Sequence, residues 1–170
     1  MKKELKDNAR LMNIKFLVEE DFVNYKKPSM FVGFPTCDWK CEKICGKKGI
    51  CQNGTLATSP TFEISYTDIV KRYLDNPISK AIVFGGLEPF DSWDELVNLV
   101  NEFRRHTEDD IVIYTGYYET EINHDIEYLR QNYDNIIVKF GRFIPDQSPH
   151  FDELLGVKLT SDNQYGVRIS

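Results

Sequence analysis

The chain has 170 residues, of which 41% are hydrophobic and 13% aromatic, so its composition excludes a disordered polypeptide and predicts one domain, 1–170, with a hydrophobic core. No apolar run approaches the ~20 residues of a membrane-spanning helix, so we expect no membrane association. The net charge of −6 disfavours nucleic acid as the main partner.

The N-terminal part of the chain contains one charged segment and three predicted elements. Residues 1–11 are charged and lack the apolar run of a secretion signal, so we interpret them as a solvated extension of a cytoplasmic protein. Residues 13–18 and 30–34 are predicted to form short buried strands. A helix is predicted over residues 65–74, because Ser65 with an acidic residue three positions later is typical of a helix N-terminus.

The rest of the chain alternates between apolar runs and amphipathic segments. Strands are predicted at residues 81–84, 111–114, 136–140 and 167–169. Helices are predicted over residues 92–105 and after Thr120, which we expect to cap the second of them. Strand–helix units that recur every ~25–30 residues predict an α/β fold with a mostly parallel sheet.

All four cysteines of the chain fall in one segment, residues 36–53, which we call the cysteine loop; they are Cys37, Cys41, Cys45 and Cys51. Soft metals need several converging sulfur ligands, whereas buried structural cysteines have no reason to cluster. Four lysines of the loop would favour deprotonated thiols; they are Lys40, Lys43, Lys47 and Lys48. Structural zinc sites use C-x2-C pairs and this loop has none, so we interpret the loop as an iron–sulfur site, with zinc as the alternative.

Two further segments follow predicted strands. Residues 85–89 (GGLEP) and 115–117 (TGY) are each compatible with a simple tight turn. Glu88 adds a carboxylate that could bind an ammonium group. Because the carboxyl ends of parallel strands form one rim, we expect these two turns and the cysteine loop to meet there.

Together these motifs resemble the radical S-adenosylmethionine (SAM) superfamily, and within it the small activating enzymes of anaerobic (class III) ribonucleotide reductases. The resemblance extends from about Met12 to the C-terminus and includes the segments 141–144 (GRFI) and 161–164 (SDNQ). It implies a partial (β/α) barrel, a [4Fe–4S] cluster, and SAM bound to an iron that has no cysteine ligand. It further implies an oxidoreductase that makes a glycyl radical on an anaerobic ribonucleotide reductase and takes electrons from a flavodoxin or ferredoxin.

The resemblance also implies which residues bind SAM. The amino end of SAM would be held by the Gly-Gly-Glu-Pro-like turn, whose matching positions are Gly85, Gly86, Glu88 and Pro89. The SAM site would be lined by Thr115 and Gly116, and either Ile44 or Ile50 would pack on the adenine. The turn departs from the family pattern because Leu87 is inserted before the glutamate.

For the metal, the resemblance implies three cysteine ligands in a C-x3-C-x2-C pattern. Cys37 and Cys41 keep the first spacing, but position 44 is isoleucine, so the third ligand is displaced. Cys45 needs one additional residue in the loop. Cys51 needs a longer excursion, which costs little because closure entropy grows only logarithmically with length, and Cys51-Gln52-Asn53 resembles the sequence that follows the family's third ligand. We favour Cys51 and keep Cys45 as the alternative.

Two other functions remain compatible with the sequence. The chain could be a radical SAM enzyme that acts on another peptide or on a small molecule. It could instead be a non-enzymatic module that binds zinc or carries electrons through an iron–sulfur cluster.

Overall fold

The computed structural model describes residues 10–170. Strands within this range are β1 Leu11–Ile14, β2 Phe16–Asp21, β3 Ser29–Phe34, β4 Phe62–Ser65, β5 Ala81–Gly86, β6 Asp110–Tyr114, β7 Ile136–Phe140, β8 His150–Asp152, β9 Val157–Leu159 and β10 Tyr165–Arg168. Helices are α1 Lys40–Cys45, α2 Gly54–Thr58, α3 Tyr66–Asp75, α4 Trp93–Arg104 and α5 Asn123–Asn132. The predicted extension over residues 1–11 lies outside the described residues except at its end, where Leu11 already begins β1.

A six-stranded mixed sheet organises the molecule, with strand order β10-β7-β6-β5-β3-β2. Its four central strands, β3, β5, β6 and β7, run parallel, and the edge strands β2 and β10 are antiparallel to their neighbours. The register pairs Phe34 with Gly86 and Phe84 with Ile113. The carboxyl ends of the parallel strands therefore share one edge, while closure of this sheet into a partial barrel stays a prediction.

Apolar side chains cover both faces of the central strands. In β5, Ile82 and Phe84 belong to the large core formed with α3, α4 and α5. Ala81 and Val83 point to the opposite face and pack in a smaller cluster with Tyr25 and with leucines of the β8–β9 region. Burial on both faces explains why these strands read as continuous apolar runs in the sequence.

The predicted ranges of α3 and α4 match the structure, although of these two only α3 has a side-chain cap at its start. Helix α3 follows Ser65, whose hydroxyl accepts a hydrogen bond from the Asp68 amide at 3.0 Å, as predicted. Helix α4 also matches its predicted range. The prediction that Thr120 caps the next helix is wrong, because a 3₁₀ turn at Glu119–Glu121 comes first and α5 begins at Asn123.

The predicted strand over residues 13–18 is divided in the structure. Lys15 separates β1 from β2, and β1 pairs antiparallel with β4, an element that the sequence pattern did not predict. The Lys15 ammonium donates hydrogen bonds to the carbonyls of Ala57 and Ser59. These bonds connect the break between β1 and β2 to the segment that follows the cysteine loop. None of the helices in residues 10–170 combines the length and the apolar character needed to cross a membrane.

Candidate metal centre

The cysteine loop begins directly after β3, at the carboxyl edge of the parallel strands. Cys37 precedes α1, Cys41 and Cys45 lie on α1, and Cys51 lies between α1 and α2. All four thiols are free and half-buried. Trp39, just before α1, has a positive φ of 61°, and its amide donates a hydrogen bond to the Cys37 sulfur at 3.4 Å.

A cavity of about 390 Å³ opens beside the loop and is lined by three of the cysteines, Cys37, Cys41 and Cys51. Cys45 is not among its lining residues. Of the other predicted site residues, the cavity is lined by Gly85, Gly86, Glu88, Thr115 and Gly116, whereas Pro89 is buried in the 3₁₀ turn Pro89–Ser92 outside it. The three motifs that were expected to converge therefore do so.

The two isoleucines proposed for the adenine differ in position. Ile50 lines the cavity, whereas Ile44 is not among its lining residues and is 59% exposed. Leu87, the inserted residue of the turn, also lines the cavity.

Glu88 is fully buried and connects the turns after β5 and β6. Its carboxylate accepts hydrogen bonds from the Thr115 hydroxyl at 2.8 Å, the Gly116 amide at 2.9 Å and the Phe90 amide at 3.2 Å. Burial raises the pKa of Glu88 to about 7, and the three hydrogen bonds oppose that rise. A carboxylate has about four acceptor positions, so one remains for a ligand that enters the cavity.

The turn after β5 is held close to the cysteine loop. Gly86 has a φ of 81°, and a Cβ atom at this position would lie 2.8 Å from the Gly33 Cα. Glycine is therefore required both for the backbone conformation and for the close approach to β3. The Glu88 amide then donates to the Thr36 carbonyl at 2.8 Å, next to the first cysteine.

Lys139, on β7, is a site residue that the sequence reasoning missed. Its side chain lines the cavity, is nine-tenths buried, and donates a hydrogen bond to the Gly141 carbonyl at 2.9 Å. Burial lowers the pKa of Lys139 to about 8, with Glu88 and Cys41 acting in the opposite direction. The sequence does mark this residue, because Lys139 is the single charged residue within the apolar run 136–140.

Arg142 is the second missed residue. It is buried, lines the cavity, and donates hydrogen bonds to both oxygens of Glu121 at 2.9 and 2.7 Å. Its Nε is buried without a hydrogen-bond partner among the described residues. In the sequence, the segment that contains Arg142 is notable only for its resemblance to the family, and that resemblance implies no role for Arg142.

The prediction that lysines of the cysteine loop stabilise the thiolates needs correction. Burial raises the pKa of Cys41, the neighbouring Cys51 raises it further, and the cation that lowers it is Arg142. Lys40 lies instead over the ring of Tyr117, with 3.9 Å from Nζ to the ring centre. Lys43, Lys47 and Lys48 are exposed to solvent. The cation that lowers the pKa of Cys41 thus lies in the segment after β7, far from the cysteine loop in the sequence.

Two observations bear on how the three thiols could bind a metal. Burial raises the pKa of Cys37 to about 12, so metal binding must release the thiol protons. Any two ligands ~2.3 Å from one zinc ion lie within ~4.6 Å of each other. Within residues 10–170, the sulfurs of Cys37, Cys41 and Cys51 do not all lie within 4.8 Å of one another. Among the described residues, the ligand atoms that do lie within this distance belong to Cys37, Asp38 and Asp91, and of these only Cys37 lines the cavity.

A family model described as "4Fe-4S single cluster domain" matches residues 8–163 of the chain. The chain belongs to this family. The match covers the cysteine loop, both turns, Lys139 and Arg142, so all of these cavity residues lie within the 4Fe–4S domain. Comparison with curated proteins finds no match, and comparison with solved structures finds none.

Proposed function

We propose that this 4Fe–4S protein is a radical SAM enzyme that generates a glycyl radical on a partner anaerobic ribonucleotide reductase. The observation that carries the proposal is one cavity that combines three cysteine thiols with a buried carboxylate, Glu88, and a buried ammonium, Lys139. The amino-acid end of SAM carries an ammonium and a carboxylate, so it presents charges opposite to those of these two side chains.

Cys37, Cys41 and Cys51 are the proposed cluster ligands. Three thiols on a four-iron cluster leave one iron without a protein ligand, and that iron is the position where SAM would bind. Cys45 lies on the same helix as Cys41 but outside the cavity. Four thiolates in the cavity would close the open coordination position, so the exclusion of one cysteine supports the proposal.

The residues around the cysteines can orient SAM. Glu88 has one free acceptor position for the SAM ammonium, and its three internal hydrogen bonds keep the carboxylate fixed. Gly85 and Gly86 line the same cavity and would lie beside the amino end of SAM. Lys139 can bind the SAM carboxylate, and Ile50 can pack on the adenine.

Bound together, the cluster and SAM would supply a one-electron cleavage of SAM to methionine and a 5′-deoxyadenosyl radical able to take hydrogen from a glycine. The chain contributes an apolar part of the cavity wall, which includes the half-buried Phe16, Phe31 and Phe143. We further propose that the sheet curves as a partial barrel whose open edge faces the protein partner. A flavodoxin or ferredoxin is the proposed electron source.

Anaerobic reconstitution followed by a SAM-cleavage assay tests the enzyme proposal. The reduced protein should form 5′-deoxyadenosine and methionine, measured by mass spectrometry. Cys45→Ala should retain this activity and Cys37→Ala should lose it together with the cluster. A fully loaded, reduced cluster that forms no 5′-deoxyadenosine would refute the proposal.

The partner is tested separately. A cognate anaerobic ribonucleotide reductase should acquire a glycyl radical, detected by electron paramagnetic resonance, only when this protein, SAM and a reductant are all present. SAM cleavage without a glycyl radical on the reductase would redirect the assignment to another peptide or to a small molecule.

A further inference from the structure

Arg142 is a buried cation of the cavity wall that has one donor without a partner. The residue is 7% exposed and lies in the segment that follows β7. Its Nη2 atom donates to both carboxylate oxygens of Glu121, whereas its Nε atom is buried and has no hydrogen-bond partner among residues 10–170. An unpaired buried donor costs free energy, so we expect a ligand of the cavity to accept a hydrogen bond from it.

The ion pair of Arg142 and Glu121 has its positive member on the side of the cavity. The side chain of Arg142 is 8% exposed, whereas that of Glu121 is 30% exposed. Arg142 lines the cavity and Glu121 does not. Solvent therefore screens the carboxylate more than the guanidinium. Because a guanidinium stays protonated in proteins, the cavity wall keeps this positive charge at every working pH.

Contacts on both sides fix the position of Arg142. Its guanidinium carbon lies 4.7 Å from the ring centre of Tyr118, and its carbonyl accepts a hydrogen bond from the Asn163 side-chain amide at 2.8 Å. The same amide of Asn163 donates to the Tyr118 hydroxyl at 2.8 Å. A charge that is fixed in advance needs no reorganisation when the charge of a neighbouring group changes.

Cys41, a proposed cluster ligand, approaches Arg142 beside Gly116. A Cβ atom at Gly116 would lie 3.6 Å from the Cys41 sulfur and 3.8 Å from the Arg142 Cβ atom. All three residues line the cavity, and Gly116 has no side chain that would separate the other two. Burial raises the pKa of Cys41 and the charge of Arg142 opposes that rise, so the two groups also interact electrostatically.

We propose that Arg142 raises the reduction potential of the iron–sulfur cluster, because its free Nε–H donates to a sulfur on the Cys41 side of the cluster and its charge lies beside that sulfur. Hydrogen bonds to the sulfurs and the local charge both set the potential of such clusters. Reduction adds one negative charge to the cluster, so a fixed cation stabilises the reduced form. The electron comes from an added one-electron reductant, and no covalent bond forms or breaks. The inference rests on the 4Fe–4S family and on Cys41 as a proposed ligand, and it does not require SAM cleavage.

The test compares Arg142→Gln and Glu121→Gln, which break the same ion pair but remove charges of opposite sign. The midpoint potential of the reconstituted cluster is measured without SAM, by redox titration followed with electron paramagnetic resonance. Hydrogen bonds to charged groups are worth about 1.5–3 kcal/mol. Arg142→Gln should therefore lower the equilibrium constant for cluster reduction at least about tenfold, which is about 59 mV for a one-electron couple.

Glu121→Gln should not lower the potential, because it removes a negative charge from the other side of Arg142. Arg130→Gln, which removes an exposed cation paired with Glu127, is the control for overall charge. Its equilibrium constant for cluster reduction should stay within about twofold of that of the unmodified protein. Iron content should be the same in all three variants, since none of them changes a proposed ligand.

A spectroscopic measurement on the unmodified protein does not depend on how well a variant folds. Arginine labelled at Nε with the heavy nitrogen isotope is incorporated, and the reduced cluster is examined by pulsed electron paramagnetic resonance. Of the arginines among the described residues, Arg142 alone lines the cavity. A hyperfine coupling to the labelled nitrogen should therefore be present, and Arg142→Lys, which keeps the charge, should abolish it.

Three outcomes would overturn the proposal. Arg142→Gln and Glu121→Gln could lower the potential equally, which would show that the ion pair is needed only for the fold. Arg142→Gln could keep the potential of the unmodified protein, and a weaker affinity for SAM would then assign the guanidinium to SAM. The labelled protein could show no nitrogen coupling. All three results are obtained without SAM cleavage, so this proposal and the proposed function can fail separately.

Discussion

The carboxylate of Glu88 accepts a hydrogen bond from the Thr115 hydroxyl at 2.8 Å, although 27 residues separate them in the chain. Both side chains are buried, and Thr115 also accepts a hydrogen bond from the Tyr117 amide at 3.0 Å. This contact joins the ends of two neighbouring parallel strands, so the turns after β5 and β6 form one wall of the cavity.

The charge of Glu88 can be tested with Glu88→Gln, which preserves the size of the side chain. Hydrogen bonds to charged groups are worth about 1.5–3 kcal/mol, so the loss of the charge should weaken SAM binding by about 10- to 100-fold. Iron content should be unchanged because Glu88 is not a proposed ligand. Equilibrium binding of SAM to the reconstituted protein measures the effect. Glu153→Gln, at an exposed position, is the control, and equal affinities for the two variants would contradict the assigned role.

The third cysteine ligand can be identified with single Cys→Ala variants. Cys51 lines the cavity with Cys37 and Cys41, so alanine at any of these three positions should abolish stable cluster binding. Alanine at Cys45 should leave iron and sulfide content and the visible absorption of the cluster unchanged. Cluster loss at position 45 with retention at position 51 would reverse the assignment.

We expect Lys139 to lower the stability of the folded protein and to strengthen SAM binding. Its folded-state pKa of about 8 lies below the ordinary lysine value, so the buried charge destabilises the native state at pH 7. Lys139→Met should therefore raise the unfolding free energy of the metal-free protein, on the order of 1–3 kcal/mol, and weaken SAM binding at least about tenfold. Denaturant unfolding and SAM titration measure the two effects.

Lys80→Met, at an exposed position, should change neither quantity and serves as the control for Lys139→Met. A destabilised Lys139→Met variant with unaltered SAM affinity would indicate that the lysine is needed for the fold and has no role at the site.

Asp110 should make the stability of the protein depend on pH. It accepts hydrogen bonds from Tyr25 at 2.9 Å, Lys27 at 2.7 Å and Arg168 at 3.0 Å. Burial alone would raise the pKa of Asp110, but these donors outweigh it and the pKa lies below its usual value. A lowered carboxyl pKa adds stability above the unfolded-state value of ~3.9, and that stability is lost as the pH falls through the folded-state pKa.

Asp110→Asn should consequently lower the unfolding free energy at pH 7 by about 1–3 kcal/mol, because charged hydrogen bonds are lost. The difference from the unmodified protein should shrink as the pH falls below ~4. Urea unfolding at several pH values measures it. Asp75→Asn, in an exposed ion pair with Lys71, should leave the unfolding free energy nearly unchanged at every pH because solvent screens the pair. A pH-independent effect of Asp110→Asn would contradict the linkage.

The sequence by itself determined the features that depend on neighbouring residues. The apolar runs of the central strands, the capping of α3 by Ser65 and the concentration of four cysteines in one loop each depend on residues close together in the chain. Hydrophobic periodicity and capping act over one or two turns, so they are readable without a structure. The expected rim motifs followed from the rule that parallel strands end at one edge.

The tertiary structure alone decided which side chains enter the cavity. Cys41 and Cys45 are four residues apart on α1, yet such a step advances ~6 Å along a helix, and only Cys41 lines the cavity. The left-handed Gly46 ends this helix, and Cys51 lines the cavity after the intervening loop. Lys139 lies on β7, and its pKa is set by burial and by the charges of Glu88 and Cys41, groups far from it in the chain. The burial of a side chain and the charges around it depend on residues that are far apart in the chain. A local sequence pattern therefore cannot predict them.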